Sequence, residues 1–205
     1  MAETHSYLTS EGHGLPHDPF KAIVAPRPIG WISTRDAQGR VNLAPYSFFN
    51  AFSDAPPIVG FSSNGRKDSL RNAEETGEFV ANLATRTLAE AMNRTSATLP
   101  HGVDEMTLAG LTPAPCRVVA PPRVAEAPAA LECKLLGINR LVDLDGNPTD
   151  YYLVLGQVVA VHISTACLKD GLFDMTAAGT IARCGYRGDY AEVDHLFEMI
   201  RPSDA

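Results

Sequence analysis

The distribution of strand-like runs constrains this chain more than any other feature. They come early and late, helix-like and proline-rich stretches lie between them, and no βαβ unit recurs at a regular interval. A parallel sheet needs a long crossover between successive strands, so this pattern favours an antiparallel barrel with helices at its edges.

The runs themselves are readable. Pro28–Thr34 reads as a strand, Asp36-Ala-Gln-Gly39 as a turn, and Val41–Asn50 as the returning strand. Asp54-Ala-Pro-Pro57 is a second connection, because paired prolines cannot sit inside a ladder, and Ile58–Ser62 is a third short strand. Residues 63–77 read as a loop and then a helix stopped by Gly77. Glu78–Leu83 is a fourth strand, Thr87–Thr95 a short helix, and residues 100–128 are proline-rich and irregular. Ala130–Leu141 and Tyr151–Ile163 form a long hairpin about the turn at Asp143–Pro148. The 205 residues suit one core, with a flexible arm at 1–18, one domain at 19–192 and a tail at 193–205.

Charge and motif content exclude several classes. A formal net charge of -7 disfavours nucleic-acid binding, although a local cluster of cations still suits an anionic ligand. No apolar run approaches the ~20 residues that span a bilayer. The four cysteines form no CxxC pair and no signal peptide opens the chain, so they read as reduced thiols of a cytoplasmic protein. His5, His13 and His17 lack the supporting ligand spacing of a metal site. There is no GxSxG, no HExxH and no carboxylate pair at motif spacing, so no residue is assigned as catalytic.

Two windows carry chemistry. Phe61-Ser-Ser-Asn-Gly-Arg-Lys-Asp-Ser-Leu70 ends a strand with the hydroxyls of Ser62 and Ser63. It passes through a glycine loop, then delivers Arg66, Lys67, Asp68 and Ser69 at a helix start. Hydroxyls, cations and unpaired helix N–H groups are what a phosphate monoester needs, although Asp68 or Ser69 as an ordinary helix cap explains part of the same window. It is neither a Walker A loop nor GxGxxG. The second window is Asn42-Leu-Ala-Pro-Tyr-Ser-Phe-Phe-Asn50. Pro45 inside a strand-like run frees backbone groups beside Tyr46, Ser47 and two phenylalanines, which suits a flat heteroaromatic ring or, alternatively, an edge strand over a core.

With PRPIGWIST at 26–34, Pro56-Pro57 and the two windows in this order and spacing, the chain resembles the flavin reductase-like, FMN-binding split-barrel family. The resemblance implies a mainly β fold: a six-stranded antiparallel split barrel with short peripheral helices. It implies a homodimer with FMN at the subunit interface, hydride transfer from NADH or NADPH to flavin, and in many members a partner monooxygenase. By position, Ser62, Ser63, Arg66, Lys67, Asp68 and Ser69 would surround the phosphate and ribityl chain. Pro45, Tyr46 and Ser47 would line the isoalloxazine, and Asn82 would reach the ring edge or the phosphate loop. Trp31 is either packing or a neighbour of the ring, and Arg183 crosses toward a flavin site. One departure stands out. Where such reductases carry Asp-His, this chain has Asp150-Tyr151. That puts nicotinamide use in doubt and keeps open an alternative, an FMN-carrying electron-transfer or storage protein. His162, later on the same strand, reads as a satisfied strand residue.

Overall fold

A computed structural model describes residues 3–202. Regular structure starts with a single turn, α1 (Phe20–Ile23), a two-residue bridge strand, β1 (Arg27–Pro28), and the hairpin β2 (Gly30–Arg35) and β3 (Val41–Tyr46). A second hairpin pairs β4 (Phe49–Asp54) with β5 (Pro57–Asn64). Helix α2 (Asp68–Thr76) ends at Gly77, which takes φ 73°, the left-handed conformation open to glycine. Then come β6 (Glu78–Leu83), α3 (Ala89–Arg94) and α4 (Glu105–Ala109). The short strands β7 (Pro113–Ala114) and β8 (Arg123–Val124) pair with each other before the long hairpin of β9 (Ala129–Val142) and β10 (Pro148–Ile163). The chain closes with β11 (Leu168–Lys169), β12 (Leu172–Phe173), α5 (Met175–Ala178), β13 (Ile181–Arg183) and β14 (Tyr190–Glu192).

The main sheet has the order β3-β2-β6-β9-β10-β5-β4, every neighbouring pair antiparallel. This is the mainly β split-barrel architecture, with seven strands in the sheet where six were expected. The extra strand comes from the stretch read as one strand, Val41–Asn50. It breaks at Ser47 and Phe48, and Phe49 restarts the ladder in a new direction. The proline-rich region also holds an unexpected helix, α4. Asp104 caps it by accepting from the N–H groups of Met106 and Thr107, and Gly110 stops it at φ 72°.

Each strand of the barrel sends side chains inward. Ile32, Tyr46, Phe61, Phe79, Ala81, Cys133 and Val154 form one buried cluster drawn from β2, β3, β5, β6, β9 and β10. Tyr46 and Phe61 meet across the split with ring centroids 4.6 Å apart, and Phe79 packs edge-on to Phe61 at 5.5 Å. Gly156 makes room for this: a Cβ there would lie 2.4 Å from the Phe79 ring. A second cluster, around Trp31, Leu43, Met92 and Met106, fixes α3 and α4 to the outside of β2 and β3. Trp31 is fully buried there and its Nε1 donates to Thr95 Oγ1 at 2.9 Å, so it is packing. All four cysteines are free. No helix among the described residues is long and apolar enough to cross a membrane.

Candidate functional site

The second and first windows of the sequence meet at one place. β3 ends at Tyr46 and β5 runs past it to Asn64, and between them lies a cavity of about 430 Å³. Pro45, Tyr46, Ser47 and Phe48 form one wall. Ser62 faces it from β5, and Lys67, Asp68 and Ser69 close one end at the start of α2. The loop from Thr95 to Leu99 and the strand residue Tyr151 complete the lining.

The phosphate-like end has unfilled bonding capacity. Lys67 occupies the cap position of α2 without a side-chain cap bond, so the first-turn N–H groups lack a capping acceptor. Lys67 itself makes no ion pair among the described residues, unlike Arg66, which is paired with Glu74. The Ser62 hydroxyl and the Tyr46 phenol oxygen are both buried without a hydrogen-bond partner. Burial pushes the Tyr46 phenol above its ordinary value, so it stays a neutral donor. Buried hydroxyls are rarely left without partners unless a ligand or water completes them.

The rest of the window is structural support. Ser69 is buried and its hydroxyl accepts from Asn42 Nδ2 at 2.9 Å, while Asn72 Nδ2 donates to Thr34 Oγ1 at 3.1 Å. These bonds tie α2 to the first hairpin. Ser63 is fully buried and gives its proton to the Gly65 carbonyl at 2.8 Å, which shapes the glycine loop at φ 78°. Ser63 and Arg66 do not line the cavity. Asn82 is also placed elsewhere. Its amide donates to the Trp31 carbonyl at 3.0 Å and accepts from Val124 N–H at 2.8 Å, pinning β8 across β6. Asn82, expected to reach the ring edge or the phosphate loop, makes these bonds within the barrel wall and does not line the cavity.

The chain matches the family model described as the flavin reductase like domain over residues 24–178. It belongs to the flavin reductase like family. A nitrilotriacetate monooxygenase component B from Bacillus cereus is similar at 30% identity and TM-score 0.87, covering 97% of this chain and 100% of that one. The 2-nitrobenzoate 2-nitroreductase NbaA of Pseudomonas fluorescens is similar at 26% identity and TM-score 0.78, covering 90% and 89%. An uncharacterized protein of Deinococcus radiodurans is 35% identical over 98% of this chain and 91% of its own length.

In this flavin reductase like protein, sequence reasoning missed three parts of the cavity. Lys21 projects from α1 and carries no ion pair among the described residues. The loop 95–99 reaches the cavity only through the tertiary fold. Its continuation is held by His101, whose imidazole lies 3.0 Å from Asp68, 2.7 Å from Arg71 and 3.0 Å from Arg40. Glu105, in the first turn of α4, is the third. It is buried, accepts from Leu43 N–H at 2.9 Å, and is raised above the usual carboxylate range by burial, with Asp68 and Asp104 adding to the shift. Tyr151, which stands where a histidine was expected, sits across from Phe48 at 6.4 Å between centroids, and its hydroxyl accepts from Asn64 Nδ2 at 3.3 Å.

A second cluster of ionisable groups, Cys116, Glu132 and His162, lies on the barrel wall away from this cavity. Glu132 is fully buried and accepts from the N–H groups of Arg117, Val118 and Val119 and from His162 Nε2 at 2.6 Å. Burial alone would raise Glu132, but the Arg117 amide, His162 and the other two amides outweigh it and hold the carboxyl at about 2. Four donors occupy the carboxylate, so it serves as a strut for the proline-rich loop.

Proposed function

We propose that this cavity binds FMN and that the protein is an oxidoreductase taking hydride from NADH or NADPH. The observation that carries the reading is the convergence on one cavity of the unpartnered Ser62 hydroxyl, the unpaired Lys67 ammonium and the uncapped start of α2. Two full negative charges of a phosphate suit one free cation, a hydroxyl and first-turn amides. The wall of Pro45, Tyr46, Ser47 and Phe48 sets apolar and aromatic surface beside a serine hydroxyl, which suits a flat ring with polar edges. Family membership and the Bacillus cereus monooxygenase component B, with its implied oxygenase companion, support the same reading. A homodimer and a partner monooxygenase follow as part of this proposal.

Bound FMN supplies a ring that accepts two electrons and a proton as hydride. The chain needs no general base for such a transfer; its work is to bind and to orient. Lys67, Ser62 and the α2 amides fix the phosphate. Pro45 to Phe48 would hold the ring. The loop 95–99 covers one side of the cavity and limits water, and the protonated Tyr46 phenol offers a donor without adding charge. Mixing the protein with FMN and NADH or NADPH tests this: loss of reduced nicotinamide above the FMN-only blank is expected, and its absence removes the reductase reading.

Tyr151 motivates a second reading. The Tyr151 phenol, bonded to Asn64, lines the cavity at the position expected for a histidine. In that reading FMN stays resident, a protein partner reduces it, and nicotinamide is ignored. FMN binding with no nicotinamide oxidation distinguishes it.

A further inference from the structure

Next to the cavity lies a smaller pocket of about 260 Å³, and the two share Lys21, Pro45, Ser47 and Ser96. Three cations line it: Lys21, Arg27 and Arg183. No aspartate or glutamate lines it. None of the three makes an ion pair with any described carboxylate. Glu90 and Glu192 line an adjoining recess that shares Met92, Asn93, Arg183 and Tyr190 with this pocket; there Glu192 faces Arg86 at 4.0 Å and makes no ion pair with Arg183.

The three cations differ in how they are held. Arg27 is only 7% exposed and its guanidinium donates to the carbonyls of Lys21, Val24 and Cys184, yet its Nε has no partner. Its charge is therefore fixed in place and met by carbonyl dipoles and the Phe48 ring, 5.8 Å away, with no carboxylate among the described residues. Arg183 stacks on the Tyr190 ring at 4.7 Å and has only a long contact, 3.5 Å, to the Tyr186 carbonyl. Lys21 has no hydrogen bond to another described residue through its side chain. Lys21 is exposed, but Arg27 is buried and Arg183 half-buried, and such cations without counter-ions are costly unless a ligand supplies the negative charge. The remaining wall is apolar: Ile29, Met92, Pro45 and the Tyr190 ring.

We propose that this pocket is a subsite for a small aromatic carboxylate, seated beside the flavin cavity as a second ligand. The inference deepens the flavin reading and rests on it for the second ligand's role, though not for its binding. Three cations select an anion. A planar guanidinium held over the Tyr190 ring at 4.7 Å suits a two-oxygen carboxylate. Ile29, Met92 and Pro45 suit one flat ring. The volume lies below the roughly 300–1,000 Å³ of pockets for larger ligands, which favours a single-ring acid over a dinucleotide.

Benzoate is the probe. Calorimetric titration of the protein with benzoate, with and without saturating FMN, is expected to show binding in both states. Benzamide, which keeps the shape and loses the charge, is expected to bind at least about tenfold more weakly, as is inorganic phosphate, which keeps the charge and loses the ring. Arg183→Gln and Lys21→Gln are each expected to weaken benzoate about fivefold to tenfold. Arg27 is left untouched because its three carbonyl bonds hold the fold. No benzoate heat in either state overturns the proposal, and so does benzoate binding that neither variant weakens. If Arg183→Gln instead weakens NADPH at least as much as benzoate, the cations serve dinucleotide phosphates and the aromatic-acid assignment is overturned. Benzoate binding to a protein that takes no FMN would sustain the pocket while removing the flavin reading.

Discussion

Replacing Lys67 with Ala separates a phosphate ligand from a surface lysine. Lys67 is exposed, unpaired and placed at the mouth of the cavity, beside the uncapped start of α2. A monocation about 4 Å from a dianion in a water-like medium gains ~1 kcal/mol for each unit of charge, thus about 2 kcal/mol in all. A charge-assisted hydrogen bond independently gives ~1.5–3 kcal/mol. Exposure argues for the lower end, so FMN affinity is expected to fall about tenfold or a little more. Riboflavin has the same ring and ribityl chain but no phosphate, so its affinity should change less than about twofold. Fluorescence quenching titrations with both flavins read the two losses directly. Equal weakening of FMN and riboflavin would refute the reasoning, because the lysine would then be acting on the shape of the loop. An added check is salt: the FMN difference between the two proteins should shrink as ionic strength rises.

Other perturbations follow from the same structure. Glu132→Gln opposes an amide to backbone N–H donors in a fully buried position and is expected to destabilise by ~3–5 kcal/mol, read as a fall in denaturant midpoint. The stability that ionised Glu132 contributes is fully present above 4.5 and is lost as pH falls through about 2. The difference in melting temperature between Glu132→Gln and the parent should therefore narrow across that window in a pH series, and a constant difference would count against the strut. His101→Ala removes the contacts that tether the 95–99 loop to α2 and should speed FMN release by about twofold to fivefold in stopped flow, the range of exposed ionic contacts. Gly156→Ala forces a Cβ to 2.4 Å from the Phe79 ring and should cost ~1–3 kcal/mol in chemical unfolding.

How much of this was legible in the sequence depended on how local each feature is. The ends of β5 and α2 are adjacent in the chain, so Ser62, Lys67 and Ser69 announced their grouping through a strand end, a glycine loop and a helix start. The long hairpin of β9 and β10 was visible because a polar turn separates two apolar runs. The β4 strand was hidden because the apolar run Val41–Asn50 has no glycine, asparagine or aspartate at its break; only the ladder partner on β5 decides where it bends. Helix α4 did carry its signals, Asp104 and Gly110, and the prolines around them masked the period.

Asn82 and Lys21 show the limit from opposite sides. A polar residue at a strand end beside a ligand motif looks free in sequence, yet Asn82 is taken up by Trp31 and by Val124, 42 positions away, bonds that only the folded barrel defines. Lys21 sits at the edge of a polar segment and looks like solvated charge, yet the fold carries it into two cavities at once. Whether a polar group is available to a ligand is a property of its remaining hydrogen-bond capacity, and that capacity is set by residues distant in the chain. The Ser62 hydroxyl is the decisive counterpart: it ends the folded accounting with no partner, near the end of the strand that leads into Lys67, a cation with no ion pair among the described residues. Ser62→Ala is therefore expected to leave stability within ~0.5 kcal/mol while weakening FMN, whereas Ser63→Ala should lower stability and leave FMN affinity nearly intact. Paired thermal melts and flavin titrations of these two variants decide it, and the reverse pattern would place the phosphate on the other side of β5.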